Sequence, residues 1–237
     1  MKQISLMLLA LLLYAGINAQ QVNDPNVEKR EAKDFHGINV SNAFDVYLTQ
    51  GNEEAVAVSA SEDRFKERIK VEVKDGILHI WYENGFRFNS GRMKLKAYIS
   101  FKKIDKLVAS GATDVFLMST LKADDLKIDL SGASDLKGSN KMEVNKLTVD
   151  LSGASDMKVS GTASELNVEA SGASDFKGFD FTVDKCDAKA SGASNIQITV
   201  NKELSAHASG ASDVHYKGDG VIRDIKTSGA SNVSKRS

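Results

Sequence analysis

"LTVDLSGASDMKVSG", residues 147–161, holds the pattern that decides the fold. Leu147, Val149 and Leu151 alternate with Thr148 and Asp150, the period of a strand with one face buried. Five small or polar residues, Ser152–Asp156, then interrupt the strand, and Met157 and Val159 resume the alternation. The local unit is therefore strand, small-residue corner, strand.

The pentapeptide recurs. "SGASD", "SGATD" or "SGASN" begins at residues 110, 131, 152, 171, 191, 209 and 228, with spacings of 21, 21, 19, 20, 18 and 19. A period near 20 is the mark of a solenoid. The flanks repeat with it. "LKIDL", "LNVEA", "CDAKA" and "LSAHA" alternate before the corner, and an apolar residue follows every Asp or Asn. Nothing between the copies has helical spacing and length.

The expected fold is all-β: a single-stranded parallel β-helix (β-solenoid) of right-handed form with an N-terminal β-rich cap. One pentapeptide per coil is the simpler arrangement. The second halves, "LKGSN", "MKVSG", "FKGFD" and "IQITV", alternate in character, which leaves open two pentapeptides per unit.

Corner chemistry fits the motif. The glycines Gly111, Gly132, Gly153, Gly172, Gly192, Gly210 and Gly229 permit a backbone that a Cβ would forbid. The following Ala is small enough to face the inside of the bend. Ser and Asp/Asn bond nearby backbone groups. Stacked coils would set Asp114, Asp135, Asp156, Asp175, Asn195, Asp213 and Asn232 in one outer column. Lys137, Lys158 and Lys177 stand two residues after an Asp, on the same face, and offset its charge. Carboxylates at coil spacing are candidates for Ca²⁺, but the lysines beside them argue against a cofactor.

Upstream, "FHGINVSNAFDVYL" (residues 35–48) is a degenerate eighth copy. "VAVSA" and "MKLKAYISF" read as strands, and "IKVEV" and "ILHIWYE" flank a hairpin at Lys74-Asp75-Gly76. "SEDRFKER" reads as a short helix capped by Ser61, and residues 83–92 as a loop. The division expected is 1–19 signal peptide, 20–34 flexible segment, 35–109 first coil and cap, and 110–237 repeat β-helix.

The first residues carry Lys2, the apolar run "ISLMLLALLLYAG" and "INA", the pattern of a cleaved leader. No Cys follows, so a lipoprotein is not expected, and no later stretch is apolar enough to span a bilayer. Lys+Arg total 31 and Asp+Glu 32, interspersed, which leaves no basic footprint for nucleic acid. The single Cys186 excludes an internal disulfide and occupies an inward position.

The chain resembles the head GIN domain family, a domain of unknown function assigned to adhesins of the autotransporter type and common in Bacteroidetes. The resemblance rests on "F-x-x-I-x-V-x-x-A-F-D-V" at residues 35–46, "QG" at 50–51, "V-x-D-G-x-L-x-I" around 73–80 (Val73, Asp75, Gly76, Leu78, Ile80), the "SGASD/N" run, and "HYKGDGVIRDIKTSGASNV" at 215–233. It implies a β-superhelix shaped like the pectin-lyase folds, without their catalytic residues, and a role in adhesion. No stalk, barrel or sorting segment follows the last corner, so an exported protein, periplasmic or secreted to the cell surface, is expected.

Catalytic candidates are few. His207 and His215 share one copy and would share a surface as a two-His metal site. No Gly-x-Ser-x-Gly elbow occurs. Arginine is scarce in the repeats, Arg223 being the only one between the first corner and the last, and no carboxylate constellation stands apart from the repeat. A non-enzymatic binding module for a glycan or cell-envelope protein is the leading expectation. A polysaccharide lyase or hydrolase on a β-helix is the alternative. Trp81, Tyr82, Phe86 and Phe88 form the candidate ligand patch, Trp81 and Tyr82 on opposite faces of their strand. Homo-oligomers through flat faces or coil ends are a further expectation.

Overall fold

The computed structural model describes residues 24–83, 93–138 and 140–237. The leader expected at 1–19, most of the loop expected at 83–92, and with it Phe86 and Phe88, lie outside the described residues. The N-terminal part comprises β1 (Glu28–Arg30), β2 (Gly37–Asn42), β3 (Phe44–Gln50), β4 (Ala55–Ala60), α1 (Asp63–Lys66), β5 (Ile69–Lys74), β6 (Ile77–Tyr82) and β7 (Leu95–Phe101). The repeats supply β8 (Lys106–Gly111), β9 (Asp114–Leu117), β10 (Leu121–Leu130), β11 (Asp135–Gly138), β12 (Met142–Leu151), β13 (Asp156–Lys158) and β14 (Gly161–Ala170). They continue with β15 (Asp175–Ala190), β16 (Asn195–Gly210), β17 (Asp213–Lys217), β18 (Val221–Gly229) and β19 (Asn232–Lys235).

These strands stack as a parallel β-solenoid with one pentapeptide per coil. Before the corner, β8, β10, β12, β14, β15, β16 and β18 pair in parallel, each with its counterpart one repeat on. After the corner the register runs Asp45, Asp114, Asp135, Asp156, Asp175, Asn195, Asp213, Asn232 without a slip. The open question of two copies per unit is thereby settled by the register. Every second residue faces one continuous core that runs the length of the stack, as in Leu126–Ile128–Leu130 and Leu147–Val149–Leu151.

The degenerate copy stacks as expected, with Asn42 opposite Gly111. Asn42 takes the positive φ that glycine takes elsewhere, 89°, which asparagine tolerates better than most residues. Phe44 fills the place of the fourth corner residue and is 1% exposed. Sequence order and stacking order differ here. β6 and β7 pair in parallel with β2 and β3 on one side, while β8 and β9 pair with them on the other. The first coil in sequence is thus sandwiched inside the stack.

Antiparallel strands close this end: β5 lies on β6, β4 on β7, and β1 on β4. The β5–β6 hairpin turns at Asp75-Gly76, both at positive φ (52° and 74°), as a tight turn requires. Two expectations are corrected. Part of the segment 20–34 is ordered as β1, with Ala32 buried, because β4 offers an open edge. Glu62, not Ser61, precedes α1, and no side chain caps it. Ser61 instead exchanges bonds with Lys94, its N–H donating to the Lys94 carbonyl and its Oγ accepting from the Lys94 N–H.

Candidate functional site

The corner is built differently from the expectation in one respect. The Ala is exposed, and the fourth residue faces inward: Thr113, Ser134, Ser155, Ser174, Ser194 and Ser212 are buried. The period of two runs unbroken through the corner, Leu130, Gly132, Ser134, Leu136, so the Ala falls on the outward count. The buried hydroxyls are satisfied. Ser155, Ser174 and Ser194 donate to the carbonyl three residues back at 2.8–3.0 Å, closing the turn. Ser155 Oγ and Ser174 Oγ also accept an N–H from the preceding coil, from Ser134 and Ser155. The corners bond directly to one another as well: from Ala133 on, each Ala N–H donates to the Gly carbonyl one coil back at 2.7–2.8 Å, and Ala112 donates to the Asn42 carbonyl at 2.6 Å. A Cβ on Gly153 would lie 2.4 Å from the Gly132 carbonyl oxygen, so these corners approach too closely for any other residue.

Outside the corner, the aspartate column and its lysines form one lattice. Lys137 Nζ bridges Asp114 and Asp135 at 3.2 and 3.0 Å, and Lys177 bridges Asp156 and Asp175 at 2.6 and 3.2 Å. The hydrogen bonds the ammonium groups donate to these carboxylates, to Asp135 first for Lys137 and to Asp156 first for Lys177, push both ammonium pKa values up. Asn195 Nδ2 donates to Asp175 Oδ1 at 3.3 Å, replacing a repulsive contact with a hydrogen bond. Asp45 has Tyr47 rather than a lysine two residues on, and its carboxyl is pushed up by burial and then by Asp114.

The lysine column continues toward the capped end as an aromatic stack. Tyr98, Tyr47 and Phe116 lie one above another with ring centroids 5.0 and 5.3 Å apart. Their faces cover each other, so only edges reach solvent, and a sugar ring finds no free face between them. At the far side of Tyr98, Asp24 accepts from the Tyr98 hydroxyl and from Lys96 Nζ, both at 3.1 Å. Burial pushes the Asp24 carboxyl up, but these bonds, with those from the Asn26 N–H and Ser59, hold it below the usual value.

The sheet before the corner carries a second lattice. Asp125, Lys146, Glu165, Lys185 and Glu203 occupy one column in register and alternate in sign. Beside it, Lys127 Nζ lies 2.9 Å from Asp150 and 3.4 Å from Asp129. Burial and the neighbouring Asp150 push Asp129 up. Against its own burial, Asp150 is held down by Lys127 and Asp129. The alternation is readable once the repeats are aligned on their serines, six residues upstream, but only the register gives it meaning. An open groove on this sheet is lined by Glu169, Lys189, His207 and Lys226 with the adjoining corner serines.

Other candidates separate. His207 lies before the corner, 3.0 Å from Asp224, and His215 lies after it, 2.9 Å from Ser234 Oγ. They stand in different ladders, so the expected shared surface is corrected. Cys186 stacks between Leu166 and Leu204, 5% exposed, and burial pushes its thiol up, as for a core residue. In the candidate patch Tyr82 is buried at 5% exposure and Trp81 is half-buried. Among the described residues no cluster of three His, Cys, Asp or Glu is placed to hold a metal, and no helix is long and apolar enough to cross a membrane.

A stack of short coils with in-register outer ladders defines the class of the protein as a parallel β-solenoid. Within it, the chain belongs to the family described as "Putative auto-transporter adhesin, head GIN domain", whose model matches residues 34–220. Solved structures share the fold. One described as a putative adhesin from Bacteroides fragilis is 21% identical, with a TM-score of 0.81 over 89% of this chain and 96% of that one. A protein described as a putative lipid binding protein from Parabacteroides distasonis is 20% identical, with a TM-score of 0.66 over 90% and 97%. A further putative adhesin, from Parabacteroides merdae, is 19% identical, with a TM-score of 0.63 over 89% and 95%. No curated protein matches the chain.

Proposed function

We propose that this chain is a non-enzymatic, exported binding module of adhesion type, exposed to the periplasm or the cell surface. Its ligand is a glycan or a cell-envelope protein. The observation that carries this reading is the commitment of the repeat's reactive groups to structure. The corner hydroxyls turn inward and bond backbone, and Lys137 and Lys177 each clasp two carboxylates. What remains outside is a flat, periodic, charge-balanced face, suited to an extended polymer. Lys158, exposed in the same column, forms no ion pair among the described residues and is the first contact for an acidic group. The family's adhesin description supports the same reading. The clasped carboxylates also weigh against Ca²⁺ as a resident cofactor.

The test is a glycan array probed with the purified chain, with and without Ca²⁺, while new reducing ends are followed. Saturable binding without release is expected, weakened in Lys158→Ala. Release of product overturns the reading in favour of a polysaccharide lyase or hydrolase. A Ca²⁺ requirement would return the aspartate column to the role of a metal site.

A further inference from the structure

The two ends of the stack differ. Antiparallel strands close the first, whereas among the described residues β18 bonds only β16 and β19 only β17. The inward row of β18 is correspondingly uncovered. Ile222 and Ile225 are 44% and 39% exposed, while Leu204 and Ala206, paired with them one coil earlier, are fully buried; Val221, paired with Glu203 on the outer face, is 60% exposed. An apolar row beside an unpaired strand edge is a template for another strand.

The edge also has a defined hydrogen-bonding phase. Lys127 and Ser131 donate their N–H groups back to the preceding coil. Asp224 and Ser228 hold the equivalent places in β18, so Ile225 and Thr227 point their N–H and C=O out of the stack. We propose that two copies of this chain join end to end, β18 against β18 in antiparallel register, about a two-fold axis through Ile225. The two Ile225 residues then exchange backbone hydrogen bonds and bury each other's side chains. The same register sets Asp224 of each copy directly opposite Lys226 of the other, giving two reciprocal ion pairs.

Charges and the register shift beside Arg223 also serve to guard an edge against pairing. Guarding, however, calls for like charges face to face, and here the two-fold register brings opposite ones together. The two-fold contact is closed, so it gives a dimer and not a filament.

Sedimentation velocity of the purified chain across a concentration series tests this. A monomer–dimer equilibrium is expected. Lys226→Asp places carboxylates opposite each other twice and should weaken the dimer by about ten-fold or more. Asp224→Lys combined with Lys226→Asp restores opposite charges and should restore the dimer. Both side chains are substantially exposed, 43% and 69%, so the fold tolerates the changes, which circular dichroism checks. A monomer at every concentration overturns the proposal. So does a dimer that ignores Lys226→Asp, or one that the double exchange fails to recover.

Discussion

At the residue scale, the corner carries two different obligations, and each has its own test. Gly153 sits at φ 80° with the Gly132 carbonyl against its face. Gly153→Ala therefore costs the left-handed conformation and a backbone clash together, about 2 kcal/mol or more in urea unfolding. Ser174 closes its own turn and takes an N–H from Ser155. Ser174→Ala leaves both partners unmatched in the core and should cost about 1–3 kcal/mol by the same measurement. Ala173, one position earlier and exposed, should accept Ser with almost no change. The glycines were legible in the sequence because a repeated positive φ favours glycine over every other residue, Asn42 being the exception at the degenerate corner. The orientation of Ala and Ser was not, because smallness alone does not say which way a side chain points. Counting back by two from Leu136 or Met157 reaches the serine, and that count carries the signal.

At the element scale, stability comes from what each strand meets in the next coil. Asn195 stands between Asp175 and Asp213, with Gln197 in place of a lysine. Asn195→Asp makes the carboxylate row unbroken from Asp45 to Asp213, with no lysine beside the new member, and should destabilise by about 0.5–1 kcal/mol at low ionic strength, an effect that shrinks in molar salt. The N-terminal segment depends on Asp24, which takes hydrogen bonds from Lys96 and Tyr98 on β7. Its pKa is lowered in the folded chain, so its contribution is complete above the ordinary carboxylate value of 3.8 and is lost as pH falls through the lower folded value. Hydrogen exchange in β1 should accelerate over that acid range, and Asp24→Asn should speed it already at neutral pH. The strands and hairpin of the cap were legible from alternation and from Asp75-Gly76. Their stacking order was not. Alternation gives a strand's faces but not its neighbours, and β6–β7 enter the stack beneath a coil that precedes them in sequence.

At the scale of the whole molecule, period and alternation together were enough to expect a parallel solenoid, because only a coil of about 20 residues returns like to like. Function was far less legible. A candidate ligand patch drawn from aromatic residues of the cap places Tyr82 in the core. The aromatic stack of Tyr98, Tyr47 and Phe116 comes from three separate segments that only the register brings together. Both outer lattices likewise exist only after stacking. All of this rests on one corner per coil, and one distance decides it. Ala112 and Ala230 are exposed corner residues six repeats apart, and Cys186 is too buried to compete for a thiol-reactive label. Double electron–electron resonance between spin labels on Ala112→Cys and Ala230→Cys should give a distribution centred near ~29 Å, six steps of ~4.8 Å. A distribution centred near half that value would mean two pentapeptides in each coil and would contradict the account.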